Sequence, residues 1–448
     1  MDRRQFMTGL AASVLPFASA RAQQPRSVVL IMVDDLFSVE HYRTKFGVPI
    51  YTPNFDALMA RGISFMNAFA STALCNPSRT SILTGLNPFK TGVHYGYDLW
   101  ETFVPAEKTL FAMLKSAGWS TYAIGKIFHS IDLNVLPVGQ YLDQAYSAQW
   151  SADADTADPQ NIPVAIQRIK HLPTTPYFMA LGITDPHLPF ISQQEFLDLY
   201  PLNQIVIPDW TGDQPPNWIL PYLRTTTLNN YTQNGTLDEY VQGYLANISE
   251  MDSSLGRLVN NLAVWANDPI IILSSDHGFT LGDHDHLGKF TLWDEAARAP
   301  LIVVDPDCGR ANVQVTDVVS LLDIMPTILD YAGLPIPADL DGWSLRPLIY
   351  DPLARRTIGA MTSMMGSARI RRNGHSYARY EDGAEELFVP GEDPEARFNV
   401  ADDPEWAPIL DNMRGHFDTR LAAWKGAAPQ CHVQLTTPPA AITFRDIC

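Results

Sequence analysis

Two pairs of adjacent polar residues follow apolar runs and carry side chains that could bind a cation. Asp34 and Asp35 end the first such run, and Asp276 and His277 come just after a later one. Neighbouring carboxylates beside buried chain are costly unless a cation lies between them. Carboxylate oxygens with one imidazole suit Ca²⁺ or Mg²⁺ better than a thiophilic metal, and we expect Ca²⁺ rather than Mg²⁺. Taken singly, each pair is equally compatible with a solvated or capping turn.

The segment 75–79, Cys-Asn-Pro-Ser-Arg, has the residue types of a nucleophilic site. Pro77 predicts the opening of a helix that Gly85 ends, so Cys75 lies at a helix N-terminus, where free N–H groups and the helix dipole stabilise an anion. Arg79 is four residues further on and therefore on the same helix face. A thiol nucleophile normally has a neighbouring histidine base, and the segment has none. From these residues alone, a buried structural cysteine is the alternative.

Basic side chains that could bind an anion or transfer protons follow other apolar runs. Lys126 and His129 come after one strand-like run, His187 comes after another between prolines, and Lys289 lies downstream of His277. A lysine ammonium neutralises anionic oxygens, and a histidine exchanges protons near neutral pH. These residues are the candidate groups for binding and protonating an anionic ester.

The apolar runs that precede these residues predict strands, and the segments between them predict helices. The strands are predicted at 27–33, 120–124, 177–183, 269–273 and 300–304. The helices are predicted at 53–61, 77–84, 106–117, 237–265, 318–331 and 404–424. The first run lacks period-two alternation, which indicates a strand buried on both faces. Strands that alternate with helices, four of them ending in polar residues, predict an α/β fold: a large mixed, mostly parallel sheet sandwiched by helices, with its site beyond the strand ends.

The pattern of the chain changes after about residue 345. Residues 23–345 are predicted to form the catalytic α/β domain, and residues 346–448 a smaller C-terminal α+β subdomain with a small antiparallel sheet and a helix. Cys431 and Cys448 lie close together in the C-terminal tail. In an exported protein they could pair as a disulfide.

The composition and the N-terminus limit the partners and the compartment. The 448 residues carry a formal net charge of −18, and such a surface repels nucleic acid and anionic lipid, so neither is expected as a partner. Residues 1–22 are predicted to be a twin-arginine export signal, because Arg3 and Arg4 precede a short apolar stretch and an Ala-x-Ala site. We expect the mature protein to be periplasmic or secreted.

The segment 75–79, with the trailing Leu83-Thr84-Gly85, resembles the signature of the sulfatase family, Cys-x-Pro-Ser-Arg followed by Leu-Thr-Gly. The resemblance covers nearly all of the mature chain in family order, through Asp34, Asp35, Lys126, His129, His187, Asp276, His277 and Lys289. The Lys-x-x-His spacing and the Pro-His-x-Pro-Phe stretch are most similar to the iduronate sulfatase branch. The resemblance implies an alkaline phosphatase-like fold.

The same resemblance implies a cofactor, a maturation enzyme and roles for the site residues. In this family a maturation enzyme oxidises the signature cysteine to formylglycine, so Cys75 is expected to be modified. The implied cation ligands are Asp34, Asp35, the modified Cys75, Asp276 and His277. One hydroxyl of the hydrated aldehyde attacks sulfur, and Arg79 stabilises its negative oxygen. Lys126 and Lys289 are implied to neutralise the sulfate oxygens. His187 is implied to protonate the leaving alcohol, and His129 to remove a proton during sulfate release.

The expected activity is hydrolysis of a sulfate ester, of a sulfated carbohydrate or another alkyl sulfate. A phosphonate monoester or phosphodiester hydrolase of the same superfamily is the alternative enzyme, because it can share the formylglycine and the metal ligands. A non-catalytic binding protein with the same fold is the alternative of another class. The intact set of Lys126, His129, His187 and Lys289 argues against that alternative.

Overall fold

The computed structural model describes residues 25–96, 98–129, 137–148, 158–208, 231–393 and 396–425, together with two short strands near the C-terminus. Its strands are β1 (Val28–Val33), β2 (Ile63–Phe69), β3 (Ser120–Ile124), β4 (Gln144–Tyr146), β5 (Tyr177–Ile183), β6 (Ile270–Ser275), β7 (Thr280–Leu281), β8 (Leu287–Gly288), β9 (Arg298–Ala299), β10 (Leu301–Val304), β11 (Val313–Ser320), β12 (Ala360–Met364), β13 (Ser367–Arg372), β14 (His375–Arg379), β15 (Glu385–Phe388), β16 (His432–Val433) and β17 (Asp446–Ile447).

The described α-helices lie between these strands. They are α1 (Val39–Tyr42), α2 (Pro53–Arg61), α3 (Cys75–Thr84), α4 (Pro88–Thr91), α5 (Trp100–Phe103), α6 (Leu110–Ser116), α7 (Asp158–Ile169), α8 (Gln194–Leu197), α9 (Leu237–Trp265), α10 (Asp294–Ala297), α11 (Ile324–Tyr331), α12 (Arg346–Tyr350) and α13 (Ala407–Lys425). Short 3₁₀ turns occupy Ala106–Lys108, Pro137–Tyr141, Leu202–Gln204, Asp283–Asp285, Leu321–Asp323 and Pro404–Trp406. Among the helices described, none has both the length and the apolar character needed to cross a membrane.

A nine-stranded mixed sheet forms the centre of the molecule. Its strand order is β11-β2-β10-β6-β1-β5-β3-β4, and β9 pairs with β2. The strands from β6 to β4 in this order run parallel to one another. β10 is antiparallel to both β6 and β2, whereas β11 is parallel to β2. The sheet is therefore mixed and mostly parallel, and the predicted fold class is confirmed.

Both faces of the sheet are covered, as the continuous apolar runs predict. In β1, Val28, Leu30 and Met32 pack into one core with the helices α3, α6 and α11. The alternate residues of the same strand pack into the other core with α2, α7 and α9. Because successive side chains of a strand point to opposite faces, a strand between two helical layers must be apolar at every position.

Most predicted elements are present, and the differences have physical causes. The strands β1, β3 and β5 and the helix α9 agree with the prediction to within one residue. α3 begins at Cys75 rather than Pro77, because the first turn of a helix makes no use of its N–H groups and tolerates proline. The helix predicted at 106–117 is divided at Thr109, whose hydroxyl accepts a hydrogen bond from the N–H of Ala112.

The helix predicted at 318–331 is wrong over its first part. Residues up to Ser320 belong to β11, which pairs with β2, and the α-helix begins only at Ile324. The prediction treated the whole apolar run as one helix and missed the junction. Ser320 and Asp323 form a capping box there, a start signal that the sequence does contain.

The region after residue 345 contains a four-stranded antiparallel sheet, in the order β12-β13-β14-β15, against which α13 packs. Glu385–Phe388 forms the strand β15, which pairs with β14. The subdomain boundary at 345 stays a prediction. The export signal predicted at 1–22 and the cysteines Cys431 and Cys448 lie outside the described residues.

Candidate active site

Four neighbouring parallel strands end at one edge of the central sheet. Their order is β6-β1-β5-β3. The carboxyl ends of parallel strands lie at the same edge, so the chain that leaves each strand reaches a shared site. This edge brings together the residues predicted from the sequence: Asp34 and Asp35 after β1, Lys126 and His129 after β3, His187 after β5, and Asp276 and His277 after β6. The helix α3 adds Cys75 and Arg79, and the chain after β8 adds Lys289.

The helix α3 lies beneath this edge and is buried at all ten positions. Cys75 is its first residue, so the side chain lies at the helix terminus where N–H groups have no partner within the helix. Gly85 ends the helix with a φ of 66°, a left-handed conformation that glycine adopts without strain. The hydroxyl of Ser78 donates to the carbonyl of Asp276, which ties the helix to the end of β6.

Arg79 connects the helix to three of the strand ends. Its guanidinium is fully buried, with Nε donating to Asp276 Oδ2 at 2.7 Å and Nη2 donating to Asp34 Oδ1 at 3.1 Å. Nη1 donates to the carbonyls of Lys126 and Ile127. A buried charge is tolerated only when it is paired and hydrogen-bonded, and every Arg79 nitrogen meets that condition. These contacts hold the carboxylates and the Lys126 backbone in fixed relative positions.

Charged groups surround the Cys75 thiol. Its Sγ lies 3.0 Å from Lys289 Nζ, 3.3 Å from His277 Nε2 and 3.5 Å from Asp35 Oδ1. Burial raises the pKa of the thiol, but the positive charges, led by Lys289, outweigh it and hold the pKa well below its usual range. The position therefore strongly favours an anionic atom on residue 75.

The donor atoms at this edge fit a hard divalent cation. Asp34, Asp35 and Asp276 are at most 1% exposed. His277 donates its Nδ1–H to the carbonyl of Gly278 at 2.8 Å, so Nε2 is the ring nitrogen that faces Cys75 and Asp35. Two overlapping groups have ligand atoms within 4.8 Å of one another: Asp34, Asp35, Cys75 and His187, and Cys75, Asp276 and His277. The three buried carboxylates supply the oxygen ligands that Ca²⁺ or Mg²⁺ prefers, and His277 adds one nitrogen.

The backbone at Asp35 is held in a strained conformation. Its φ is 60°, a left-handed value that is uncommon outside glycine but tolerated by aspartate. The hydroxyl of Tyr244, from α9, donates to the carbonyl of Asp35 at 2.7 Å and accepts the N–H of Phe37 at 3.1 Å. Tyr244 thereby keeps the carboxylate of Asp35 turned into the site.

Two glycines allow Lys126 to reach the site. Lys126 Nζ forms an ion pair with Asp34 Oδ2. A side chain on Gly182 would place its Cβ 2.2 Å from the carbonyl oxygen of Lys126, and one on Gly125 would lie 2.1 Å from the carbonyl oxygen of Gly182. The chain after β3 can therefore cross β5 in direct backbone contact only because both positions lack a side chain.

Lys289 is fixed both at its ammonium and at its backbone. Its Nζ donates to both carboxylate oxygens of Asp35, at 2.8 and 2.9 Å. The ring of His286 donates through Nε2 to the carbonyl of Lys289 at 2.7 Å. The following N–H, of Phe290, donates to the carbonyl of Ala73 beside the signature helix at 3.2 Å.

The two candidate proton-transfer histidines differ in their surroundings. His187 donates Nδ1–H to the carbonyl of Leu188 at 2.6 Å, so Nε2 is the atom that faces Asp35, 3.8 Å from its Oδ2. Burial disfavours the charged ring, but the attraction of Asp35 and Asp34 outweighs it and raises the pKa of His187 above its usual value. His129 is exposed at the mouth of the site, and its hydrogen bond to Cys75 contributes to the low pKa of that thiol.

Three residues that support the site were not predicted from the sequence. Tyr244 and His286 hold backbone carbonyls of site residues, as described above. Asp158, at the start of α7, accepts hydrogen bonds from the backbone at the end of β5. No motif marks Tyr244 within its long amphipathic helix or His286 beside β8. The Asp-Pro dipeptide at 158–159 is the only local signal for Asp158, and it indicates a helix start rather than a partner.

Comparisons with known proteins agree with this site. A family model described as Sulfatase matches residues 26–334. A protein named "Sulfatase" from Formosa agariphila is 29% identical, with 89% of this chain and 87% of that protein covered. Human iduronate 2-sulfatase is also 29% identical, with 69% of this chain and 70% of that protein covered.

Solved structures share the fold at lower identity. One, determined in complex with its substrate D-glucosamine-2-N,6-O-disulfate, superimposes with a TM-score of 0.75 at 22% identity, covering 90% of this chain and 99% of the other. The phosphonate monoester hydrolase of Agrobacterium radiobacter superimposes with a TM-score of 0.70 at 22% identity, covering 89% and 96%. The family match extends over most of the chain and includes every site residue named above. The chain belongs to the sulfatase family, the sulfuric ester hydrolases of the alkaline phosphatase-like fold.

Proposed function

We propose that this enzyme hydrolyses the sulfate ester of a sugar or another alkyl alcohol, using a formylglycine made from Cys75 and a divalent cation, with Ca²⁺ preferred. The single observation that carries the proposal is the surroundings of Cys75, a buried residue around which two lysines, three histidines and three carboxylates gather. The solved relative that binds a disulfated glucosamine supports a sulfated sugar as the substrate class.

The cation would be held by Asp34, Asp35, Asp276, His277 and the modified residue 75. When bound, it would act as a Lewis acid and lower the pKa of the nucleophile. The carboxylates of Asp34, Asp35 and Asp276 are already paired with Arg79, Lys126 and Lys289. A divalent cation would add the positive charge that offsets a sulfate ester and an ionised nucleophile.

The side chains around this centre have separate proposed tasks. Lys126 and Lys289 lie on opposite sides of the carboxylate pair, where their ammonium groups can bind sulfate oxygens as negative charge accumulates on them. Arg79 fixes the carboxylates and lies on the same helix as Cys75, in support of a negative oxygen on that residue. His187 offers a proton from Nε2 to the leaving alcohol. His129, at the mouth of the site, accepts a proton during the release of sulfate.

The test combines peptide mass with substrate profiling. The peptide that contains Cys75, from enzyme made in a host with a maturation enzyme, should carry an aldehyde in place of the thiol. The same preparation should release sulfate from a panel of sulfated sugars, and a Cys75→Ala control should release none. A quantitatively alkylatable thiol in fully active enzyme would falsify the formylglycine. Faster turnover of phosphonate monoesters or phosphodiesters than of every sulfate ester would favour the alternative enzyme instead.

A further inference from the structure

The chain that carries His187 leaves the sheet at a point where one neighbouring strand has already ended. β5 pairs with β1 as far as Ile183, but its pairing with β3 ends at Leu181. The next backbone N–H groups, of Thr184 and Asp185, are buried. Buried N–H groups require an acceptor, because leaving one unpaired away from water is costly.

Asp158 supplies this acceptor. Its carboxylate accepts the N–H of Thr184 at 2.9 and 2.8 Å through its two oxygens, and the N–H of Asp185 at 2.9 Å through Oδ2. Asp158 is the first residue of α7 and is 2% exposed. A charged carboxylate in the first turn of a helix is further stabilised by the helix dipole. The contact thus joins α7 to the end of β5, a strand of the central sheet against which α7 packs.

The position of His187 depends on the two residues that Asp158 holds. The N–H of His187 donates to the carbonyl of Thr184 at 2.9 Å, which closes a tight turn. The ring is then oriented by the hydrogen bond from Nδ1 to the carbonyl of Leu188, and Nε2 faces Asp35. A shift of the Thr184–Asp185 backbone would therefore move the Nε2 atom relative to the scissile bond.

We propose that Asp158 is a positioning residue for His187: by fixing the backbone at the end of β5, it places the imidazole for proton transfer to the leaving alcohol. This inference rests on the proposed function, in which His187 is the general acid. The competing explanation is that Asp158 only stabilises the packing of α7 against β5. The two explanations differ in one measurable respect, the dependence of the rate on the leaving group.

A general acid matters in proportion to the basicity of the group that it protonates. A displaced acid should therefore slow the hydrolysis of alkyl sulfates strongly and that of nitrophenyl sulfate little. A purely structural defect lowers the amount of active enzyme and slows every substrate by the same factor. The slope of log kcat/KM against leaving-group pKa is consequently independent of how much enzyme is folded or matured.

The experiment measures this slope for wild type, for the single variants Asp158→Ala, Asp158→Asn and His187→Ala, and for the double variant that combines Asp158→Ala with His187→Ala. We expect Asp158→Ala to steepen the slope in the same direction as His187→Ala, with a loss of about 10²-fold on the least activated substrate. Asp158→Asn, which keeps one acceptor oxygen, should lie between Asp158→Ala and wild type. The double variant should be no steeper than His187→Ala alone, since both changes act through one group.

The matched control is Asp143→Ala. Asp143 also accepts a strand N–H, that of Thr121 at 2.8 Å, but near the start of β3 rather than at the edge where the site lies. Its line should run parallel to wild type. An Asp158→Ala line that is also parallel, with a uniform loss, would reduce Asp158 to a structural role while leaving the role of His187 intact. A parallel line for His187→Ala would instead remove the acid role of His187 and the inference with it.

Discussion

His187 and His129 differ in their contacts, and the difference fits the separate steps proposed for them. His187 is partly buried and oriented by a backbone carbonyl, whereas His129 is exposed at the mouth of the site. An acid that protonates the leaving alcohol must be oriented toward the ester oxygen. A base that acts after the alcohol has left has no contact with it and needs only access to residue 75.

This difference predicts that the rate loss depends on the leaving group in one single variant and is uniform in the other. His187→Ala should lose on the order of 10²–10⁴ in rate on alkyl or sugar sulfates and far less on nitrophenyl sulfate. His129→Ala should slow all substrates by a similar factor, with sulfated enzyme accumulating. The measurements are the rate against leaving-group pKa and the intact mass of the enzyme during turnover. A steeper line for His129→Ala than for His187→Ala would exchange the two roles.

At this scale the sequence is informative where chemistry requires particular residues at particular spacings. The polar pairs and basic residues that follow the predicted strands include the described side chains nearest to Cys75 Sγ, those of Asp35, His277 and Lys289. Tyr244 and Asp158 could not be found in this way, since each acts through backbone groups far away in the chain. A hydrogen bond to a backbone N–H or carbonyl places no demand on the sequence of its partner.

At the scale of elements, the site depends on two parallel strands, β1 and β6, that end side by side. Asp34 and Asp35 continue from one and Asp276 and His277 from the other, and the N–H of Asp276 donates to the carbonyl of Val33 at 3.1 Å. The register Val33–Ser275 places the four donor groups together. The convergence of these buried groups fits the proposed cation.

A cation shared between these strands should be detectable both in activity and in stability. Exhaustive chelation, or Asp35→Asn, should abolish turnover while the fold persists. Added Ca²⁺ at about 100 times its Kd should stabilise the wild type by about 2.7 kcal/mol and Asp35→Asn by much less. Thermal melting with and without Ca²⁺ provides the measurement, with the exposed carboxylate variant Asp143→Asn as a control. Full activity after chelation would contradict the assignment.

A buried ion pair connects the C-terminal sheet to the segment that follows Lys289. Asp294 accepts a hydrogen bond from Arg371 Nε and another, at 2.7 Å, from Arg298. Arg371 also donates to the carbonyl of Leu292 at 2.6 Å. Burial raises the pKa of Asp294, but Arg371 and Arg298 outweigh it and hold the pKa well below its usual range. Ionised Asp294 therefore stabilises the fold above its unfolded pKa of about 4, and this contribution is lost as the pH falls below that value.

Arg371→Met should cost about 3 kcal/mol at pH 7, because it leaves a buried carboxylate with one partner fewer. The cost should shrink as the pH falls below about 4, where Asp294 takes up a proton in the unfolded chain and the ion pair contributes less. Urea unfolding of wild type and Arg371→Met at pH 7 and at a pH below about 4 measures the change in the free energy of unfolding. The exposed pair of Arg414 with Glu385 is the control, and Arg414→Met should cost less than about 1 kcal/mol. An equal cost of Arg371→Met at both pH values would show that its charge is not involved.

The predictability of elements follows the same division between local and distant causes. β1 and β5 were predictable because strands buried on both faces must be apolar throughout. The first part of the segment 318–331 was not, since it forms a strand through pairing with β2, which is distant in the sequence.

At the scale of the whole molecule, an acidic protein must attract an anionic substrate. The formal charge of the chain is −18, yet the site gathers Arg79, Lys126 and Lys289 at one edge of the sheet. A polysulfated saccharide is repelled by the surface at long range and attracted by the pocket at short range. Salt screens the long-range repulsion first, because the Debye length falls from about 30 Å at 0.01 M to about 8 Å at 0.15 M.

We therefore expect kcat/KM for a polysulfated oligosaccharide to rise as ionic strength increases over this range. A small monosulfated substrate, with less charge outside the pocket, should respond much less. Steady-state rates at several concentrations of an inert salt, at constant Ca²⁺, provide the measurement. A steady fall for the oligosaccharide from the lowest salt upward would contradict the expectation.

Because the helix α3 is buried, the proposed oxidation of Cys75 must take place before the chain folds. Cys75 is 1% exposed, and every residue of its helix is buried beneath the sheet edge. An oxidising enzyme must reach this side chain while the segment is still unfolded, so oxidation and folding compete for each newly made chain. A molecule that folds first keeps its thiol and cannot be repaired without unfolding. The specific activity of a preparation then depends on the fraction of chains that were oxidised before they folded. This fraction rises when folding is slowed or the maturation enzyme is abundant, and purification of the folded protein cannot increase it.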